Sequence, residues 1–190
     1  MSSLMTVEPA QRPPAARWAI RLLLTVLIAG FAAFWTWALF FASKEAVNKI
    51  DDRAWAERAE QICAEANDAR LALIDYRSIV DGGDAEVAAL IRERADIVDR
   101  ATDILVVMLD DVVAVEPLDD KGRGIVPQWE AEYRAYLDGR RTYADELRRT
   151  GENLPFYEPG ADGIPVSERL ETFAGDNEMP SCAPPRDLSR

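Results

Sequence analysis

The sequence predicts an all-α protein: one N-terminal transmembrane helix, an antiparallel three-helix bundle ectodomain, and an irregular C-terminal tail packed back on it. Three observations carry this. The run Leu22–Ala42 contains no charge. Three later segments repeat apolar residues at alternating steps of four and three, which line one face of a helix. Residues 152–190 then break the pattern with six prolines and three glycines.

The run LLLTVLIAGFAAFWTWALFFA would rise about 31 Å as a helix, close to the hydrocarbon thickness of a bilayer. Trp18 marks one end, with Trp35 and Trp37 toward the other, and Arg21 at the edge can snorkel to the interface. A buried core helix is rarely charge-free for so long. A cleaved signal peptide has a shorter apolar region and a small-x-small end; here the end reads Leu39-Phe40-Phe41-Ala42-Ser43. The segment is therefore read as an uncleaved signal-anchor. Its Ala29-x-x-x-Ala33 pair is the spacing that lets two membrane helices approach, although in so alanine-rich a chain it also arises by chance. The domain limits that follow are 1–17, a disordered cytoplasmic leader; 18–42, the transmembrane helix; 43–151, the bundle; and 152–190, the tail.

The first amphipathic stripe is Trp55, Ala59, Ile62, Ala66, Ala69, Leu73, Tyr76 and Val80. It is expected to continue the membrane helix through Lys44 to Asp52 and to stop at Gly82-Gly83. The second is Val87, Ile91, Arg94, Val98, Ala101, Leu105, Met108, Val112 and Val115, widened by Leu90, Ile97 and Ile104. Asp84 is its expected N-cap and Glu116-Pro117 its stop. The wide face makes this the helix expected to be most buried. A polar loop is expected over Leu118 to Val126, with Pro127 in the first turn of the third helix. That helix carries Trp129, Tyr133, Tyr136, Arg140, Tyr143 and Leu147, is locally weakened by Gly139, and ends at Gly151. The tail is expected to hold one short helix near Ser167 to Phe173, capped by Ser167.

Composition narrows the chemistry. There is no His, which removes the commonest general base and the commonest metal ligand. Beyond residue 42 the chain carries 19 basic and 33 acidic side chains, a net −14. Such a surface is repelled by phosphate backbones and by anionic lipid headgroups, so no nucleic-acid partner is expected. The pairs Asp51-Asp52, Asp110-Asp111 and Asp119-Asp120 are read as solvated surface, because neighbours on a helix do not face one substrate. The acidic run Asp110 to Asp120 lacks the alternating pattern of a calcium loop. No catalytic set, metal site or cofactor is expected, and the protein is read as not an enzyme.

Cys63 and Cys182 are the only cysteines. A disulfide between them would pin the tail to the first bundle helix, and it requires an oxidising compartment. Flanking Lys and Arg do not decide orientation, since Arg12, Arg17 and Arg21 precede the span while Lys44, Lys49, Arg53 and Arg58 follow it. The cysteine pair decides it: a single-pass protein of the cell membrane, N-terminus cytoplasmic, C-terminal domain extracytoplasmic. Arg94 and Arg140 fall on the apolar seams and need carboxylate partners if buried. Trp129, Tyr133, Tyr136 and Tyr143 form an aromatic ridge. It is read mainly as core, and also as a candidate ligand or partner surface.

The segments IDDRAWAERAEQICAEA (Ile50 to Ala66) and MPSCAPP (Met179 to Pro185) give the chain a likeness. It resembles uncharacterised single-pass membrane proteins of actinobacteria with a two-cysteine helical ectodomain, over most of residues 20–187. The resemblance implies the same layout and the same cysteine pair, and it assigns no functional residue. The expected function is a membrane-anchored, non-enzymatic ectodomain acting through protein contacts in the cell envelope, as an accessory subunit of a membrane complex. Its partners would be the lipid bilayer through residues 18–42 and an envelope or membrane protein. The alternative is a small-ligand sensor with an aromatic-lined pocket.

Overall fold

Long charge-free or amphipathic runs separated by Pro, Gly and Asp give mostly helix. The computed structural model describes residues 14–42, 45–73, 84–161 and 163–188. Among these are five α-helices: α1 (Pro14–Phe40), α2 (Arg53–Leu71), α3 (Asp84–Val113), α4 (Asp120–Thr150) and α5 (Val166–Asp176). Among the described residues the only strands are β1 (Gly160–Ala161) and β2 (Ile164–Pro165), a two-stranded antiparallel pair. A 3₁₀ turn spans Pro180–Cys182. Contacts divide the chain into two compact units, Met1–Glu45 and Ala46–Arg190.

In the first unit, the stretch Arg17–Phe40 is long and apolar enough to cross a membrane. Its side chains are almost all exposed, Leu22 at 65% and Ile28 at 69%. Its two threonines do not leave hydroxyls unpaired. Thr25 donates to the carbonyl of Arg21 at 2.9 Å and Thr36 to that of Ala32 at 2.8 Å. This satisfies groups that would be costly in an apolar medium. The helix begins at Pro14, so 14–17 are not part of an irregular leader. Residues 1–13 lie outside the described residues.

The expected helical continuation through Lys44 to Asp52 is not observed. Helix α1 ends at Phe40 and α2 starts at Arg53, with a turn at Val47-Asn48 between them. The cause is local. Asp52 is the N-cap of α2, accepting the Trp55 N–H at 3.0 Å, and a capped residue cannot also be mid-helix. Ile50 is buried, and its N–H donates to Asn177 Oδ1 at 2.8 Å. Helix α2 ends at Leu71, with Ala72 and Leu73 in a turn. The expected stripe positions Tyr76 and Val80, the Gly82-Gly83 stop and the Asp84 side chain lie outside the described residues.

The seam of α2 is Trp55, Ala56, Ala59, Cys63 and Arg70, with Ala69 exposed. Of the predicted stripe, α3 buries Ile91, Val98, Ala101, Leu105, Met108 and Val112. Helix α4 buries the larger side chains, Trp129, Tyr133, Tyr136, Arg140 and Tyr143 among them. Three arginines of α4 make four ion pairs to α3: Arg148 to Asp96 and Asp99 at 2.9 and 2.5 Å, Arg141 to Asp103 at 2.9 Å, and Arg134 to Asp110 at 2.8 Å. Numbers rise along α3 as they fall along α4. Likewise Arg58 donates to the carbonyl of Val112 and Trp55 to that of Val115.

Helix α4 starts seven residues earlier than expected, so of the expected loop Leu118 to Val126 only Leu118 and Asp119 precede the helix. Asp119 caps it, accepting the Gly122 N–H at 2.7 Å. Pro127 therefore sits inside the helix, where it cannot donate to the carbonyl of Arg123. Gly151 closes α4 in the left-handed conformation at φ 67°, as expected for a C-terminal glycine. In the tail, Ser167 does not cap α5. It lies within the helix, and its N–H donates to Glu158 Oε2 at 3.0 Å.

Candidate functional site

The residues with the most chemistry gather where the tail meets α2, α3 and α4. Cys63 and Cys182 form a disulfide, and both are fully buried. Beside it, Glu60 accepts from the Ser181 N–H at 2.9 Å and from its hydroxyl at 2.6 Å. Asn67 donates to the Ser181 carbonyl at 2.7 Å.

Arg140 is fully buried on the α4 seam. It makes a bidentate pair with Asp187, Nη1–Oδ1 2.7 Å and Nη2–Oδ2 3.0 Å, and its Nε donates to Thr102 Oγ1 at 3.0 Å. Thr102 in turn donates to the Val98 carbonyl at 2.7 Å. Arg70 also reaches Asp187 Oδ2, at 3.4 Å. Burial pushes the Asp187 carboxyl up, but the hydrogen bonds and charge of Arg140, with the charge of Arg70, outweigh it and hold it below the usual carboxylate value. This is the carboxylate partner expected for a buried Arg140. Arg94, the other seam arginine, is half-exposed and donates to Asn153 Oδ1 at 3.5 Å.

The four ridge aromatics form an interior series: Trp129, Tyr133, Tyr136 and Tyr143 are 2, 0, 2 and 4% exposed. Trp129 stacks on Phe173 with centroids 5.3 Å apart and meets Trp55 and Tyr133 edge-on. Phe156 meets both Tyr136 and Tyr143 edge-on. Two phenols serve the tail: Tyr136 donates to the Pro185 carbonyl at 2.8 Å and Tyr143 to that of Leu154 at 3.1 Å. The Tyr133 hydroxyl is buried without a partner, and burial raises its pKa.

Trp129 also lines a groove of about 210 Å³ between α4 and α5, with Gln128, Glu132, Arg169 and Phe173. Trp129 Nε1 and Arg169 Nε are buried without a hydrogen-bond partner, while Arg169 Nη2 pairs with Glu132 at 3.2 Å. Among the described residues no group of three or more acidic or cysteine side chains is arranged to hold a metal ion.

Sequence reasoning missed a second set. Asp52 and Asp119 are not free surface: besides capping its own helix, each carboxylate binds the other segment. Asp52 Oδ2 accepts the Leu118 N–H at 2.9 Å, and Asp119 Oδ2 accepts the Asp52 N–H at 3.2 Å. The Leu118 and Trp55 N–H groups hold the Asp52 carboxyl below its usual value. For Asp119, burial pushes up, but the Gly122 and Asp52 N–H groups bring it down. Asp-Asp followed by an amphipathic run was the available signal for a cap; the cross-link had none. Comparison with protein families, curated proteins and solved structures finds no match for the chain.

Proposed function

We propose that the protein is a single-pass, membrane-anchored, non-enzymatic ectodomain that acts through protein contacts in the cell envelope, as an accessory subunit of a membrane complex. One observation carries this reading: the charge-poor helix Arg17–Phe40, whose described apolar side chains are exposed, precedes a domain whose polar interior is committed to structure. A helix apolar on every face is suited to lipid.

The domain is read as an antiparallel three-helix bundle of α2, α3 and α4 with the tail packed back on it. The opposed numbering of the α3–α4 and α2–α3 contacts supports this. The cysteine pair supports an extracytoplasmic domain and a cytoplasmic N-terminus, because such bonds persist in oxidising compartments. The net −14 of the domain argues against nucleic acid. In-cell crosslinking followed by affinity capture of the full-length chain tests the reading. One stable membrane complex is expected, and recovery of the protein alone would count against it.

A second reading, a small-ligand module, draws on the α4–α5 groove. Its lining sets Trp129 and Phe173 beside Gln128, Glu132 and Arg169, which would suit a small ligand with an apolar part and a polar end.

A further inference from the structure

Asp187 is the one member of its ion-pair cluster that the tail supplies. The two guanidiniums it meets come from the helices, Arg140 from α4 and Arg70 from α2. Both are held by groups outside the tail. Arg140 Nε donates to Thr102 Oγ1 at 3.0 Å, and that hydroxyl's own proton is committed to the Val98 carbonyl at 2.7 Å. Arg70 Nη2 donates to Asn67 Oδ1 at 3.4 Å, one turn earlier on the same helix. A planar fork held from behind is the geometry that recognises a carboxylate through two parallel bonds.

The cluster holds more positive charge and more donors than Asp187 uses. Among the described residues Asp187 is the only carboxylate that pairs with either guanidinium, so two cations share one anion. Arg70 Nε and the Tyr133 hydroxyl are buried with no hydrogen-bond partner. Arg140, Arg70 and Asp187 all act electrostatically on that hydroxyl. Buried charge and donors left over in this way favour an anion. The carboxylate also lies on the open side of the cluster. Its side chain is 23% exposed, against 10% for Arg70 and 0% for Arg140. A carboxylate from solvent has the same approach.

We propose that Arg140, Arg70 and Thr102 form a carboxylate-binding site that the chain's own Asp187 fills, and that a small free carboxylate takes the place of the Asp187 side chain when that group withdraws. The tail then serves as an internal ligand of the helices.

The test uses the full-length chain in detergent micelles, with Cys63 and Cys182 oxidised. Asp187→Ala keeps Cβ and removes only the carboxylate, so formate has the size and charge of the missing group. Cys182 stays bonded to Cys63, which keeps the altered tail on the domain. Urea unfolding is measured in sodium formate and in sodium chloride of the same ionic strength. With formate at about ten times its Kd, the folded Asp187→Ala chain should be favoured about tenfold over chloride, and the effect should saturate. Wild type, whose site is filled, should unfold alike in the two salts. So should Arg140→Met combined with Asp187→Ala, which removes the fork. Identical curves in the two salts for Asp187→Ala would overturn the site and leave Asp187 a structural ion pair alone. A formate effect of equal size in the Arg140→Met combination would also overturn it, as a general action of the salt. If Asp187→Ala does not fold in chloride, Asp187→Ser, which keeps a hydroxyl acceptor, gives the same comparison.

Discussion

Arg140 and Asp187 show most directly how a single residue holds the tail. A fully buried guanidinium is costly unless a carboxylate meets it, and here the carboxylate comes from 47 positions later. Asp187→Asn should cost about 3 kcal/mol, the low end for breaking a buried pair, because its side chain keeps 23% exposure. Replacing both partners, Arg140→Met with Asp187→Leu, should cost less than the single change. The pH dependence has a definite sign. The Asp187 carboxyl is lowered in the folded state, so its contribution is complete above the unfolded value of about 3.9 and is lost as pH falls through the native one. The gap between wild type and Asp187→Asn, measured by urea unfolding, should be constant from pH 5 to 7 and close in more acidic solution.

At the scale of the element, α4 shows how a capping carboxylate decides a helix boundary. Pro127 and two glycines suggested a loop, yet Asp119 caps the helix seven residues earlier. Gly122 is part of the reason. A Cβ there would lie 2.6 Å from Pro117 Cβ and 2.7 Å from Asp119 Oδ2, neither of them the free end of a flexible side chain. Gly122→Ala should therefore lower stability by about 1–3 kcal/mol, overpacking outweighing the gain in helix propensity. At Gly124 nothing lies within 4 Å of the added Cβ. Gly124→Ala should raise stability by up to about 1 kcal/mol. Thermal melting of the two variants gives opposite shifts if the two glycines differ as described. Gly139, which looked like a weakness in α4, makes room for the tail: an added Cβ would meet Pro159 Cδ at 2.9 Å.

For the whole molecule, the disulfide links residues 119 apart in sequence. It ties α2 to a tail that otherwise depends on Asp187, Asn177 and Tyr136. Opening it should cost on the order of 4–5 kcal/mol by loop entropy alone. Unfolding of the Cys63→Ala, Cys182→Ala double variant beside the oxidised parent checks the magnitude. Thiol trapping in intact cells should recover the pair oxidised. A reduced pair would reverse the proposed sidedness.

The sequence by itself determined the helical class, the apolar helix, the α3 and α4 seams, the Gly151 stop and the cysteine pair. The cysteine pair follows from there being only two cysteines; the others follow from periodicity or from single residues acting within a few positions, where backbone geometry alone links sequence to structure. Only the tertiary structure decided which carboxylate meets Arg140 and why Asp52 and Asp119 matter beyond their own caps. Those outcomes depend on groups 47 to 67 positions apart. Hydrogen-bond donors and charges must be satisfied wherever burial places them, and no local pattern records the partner.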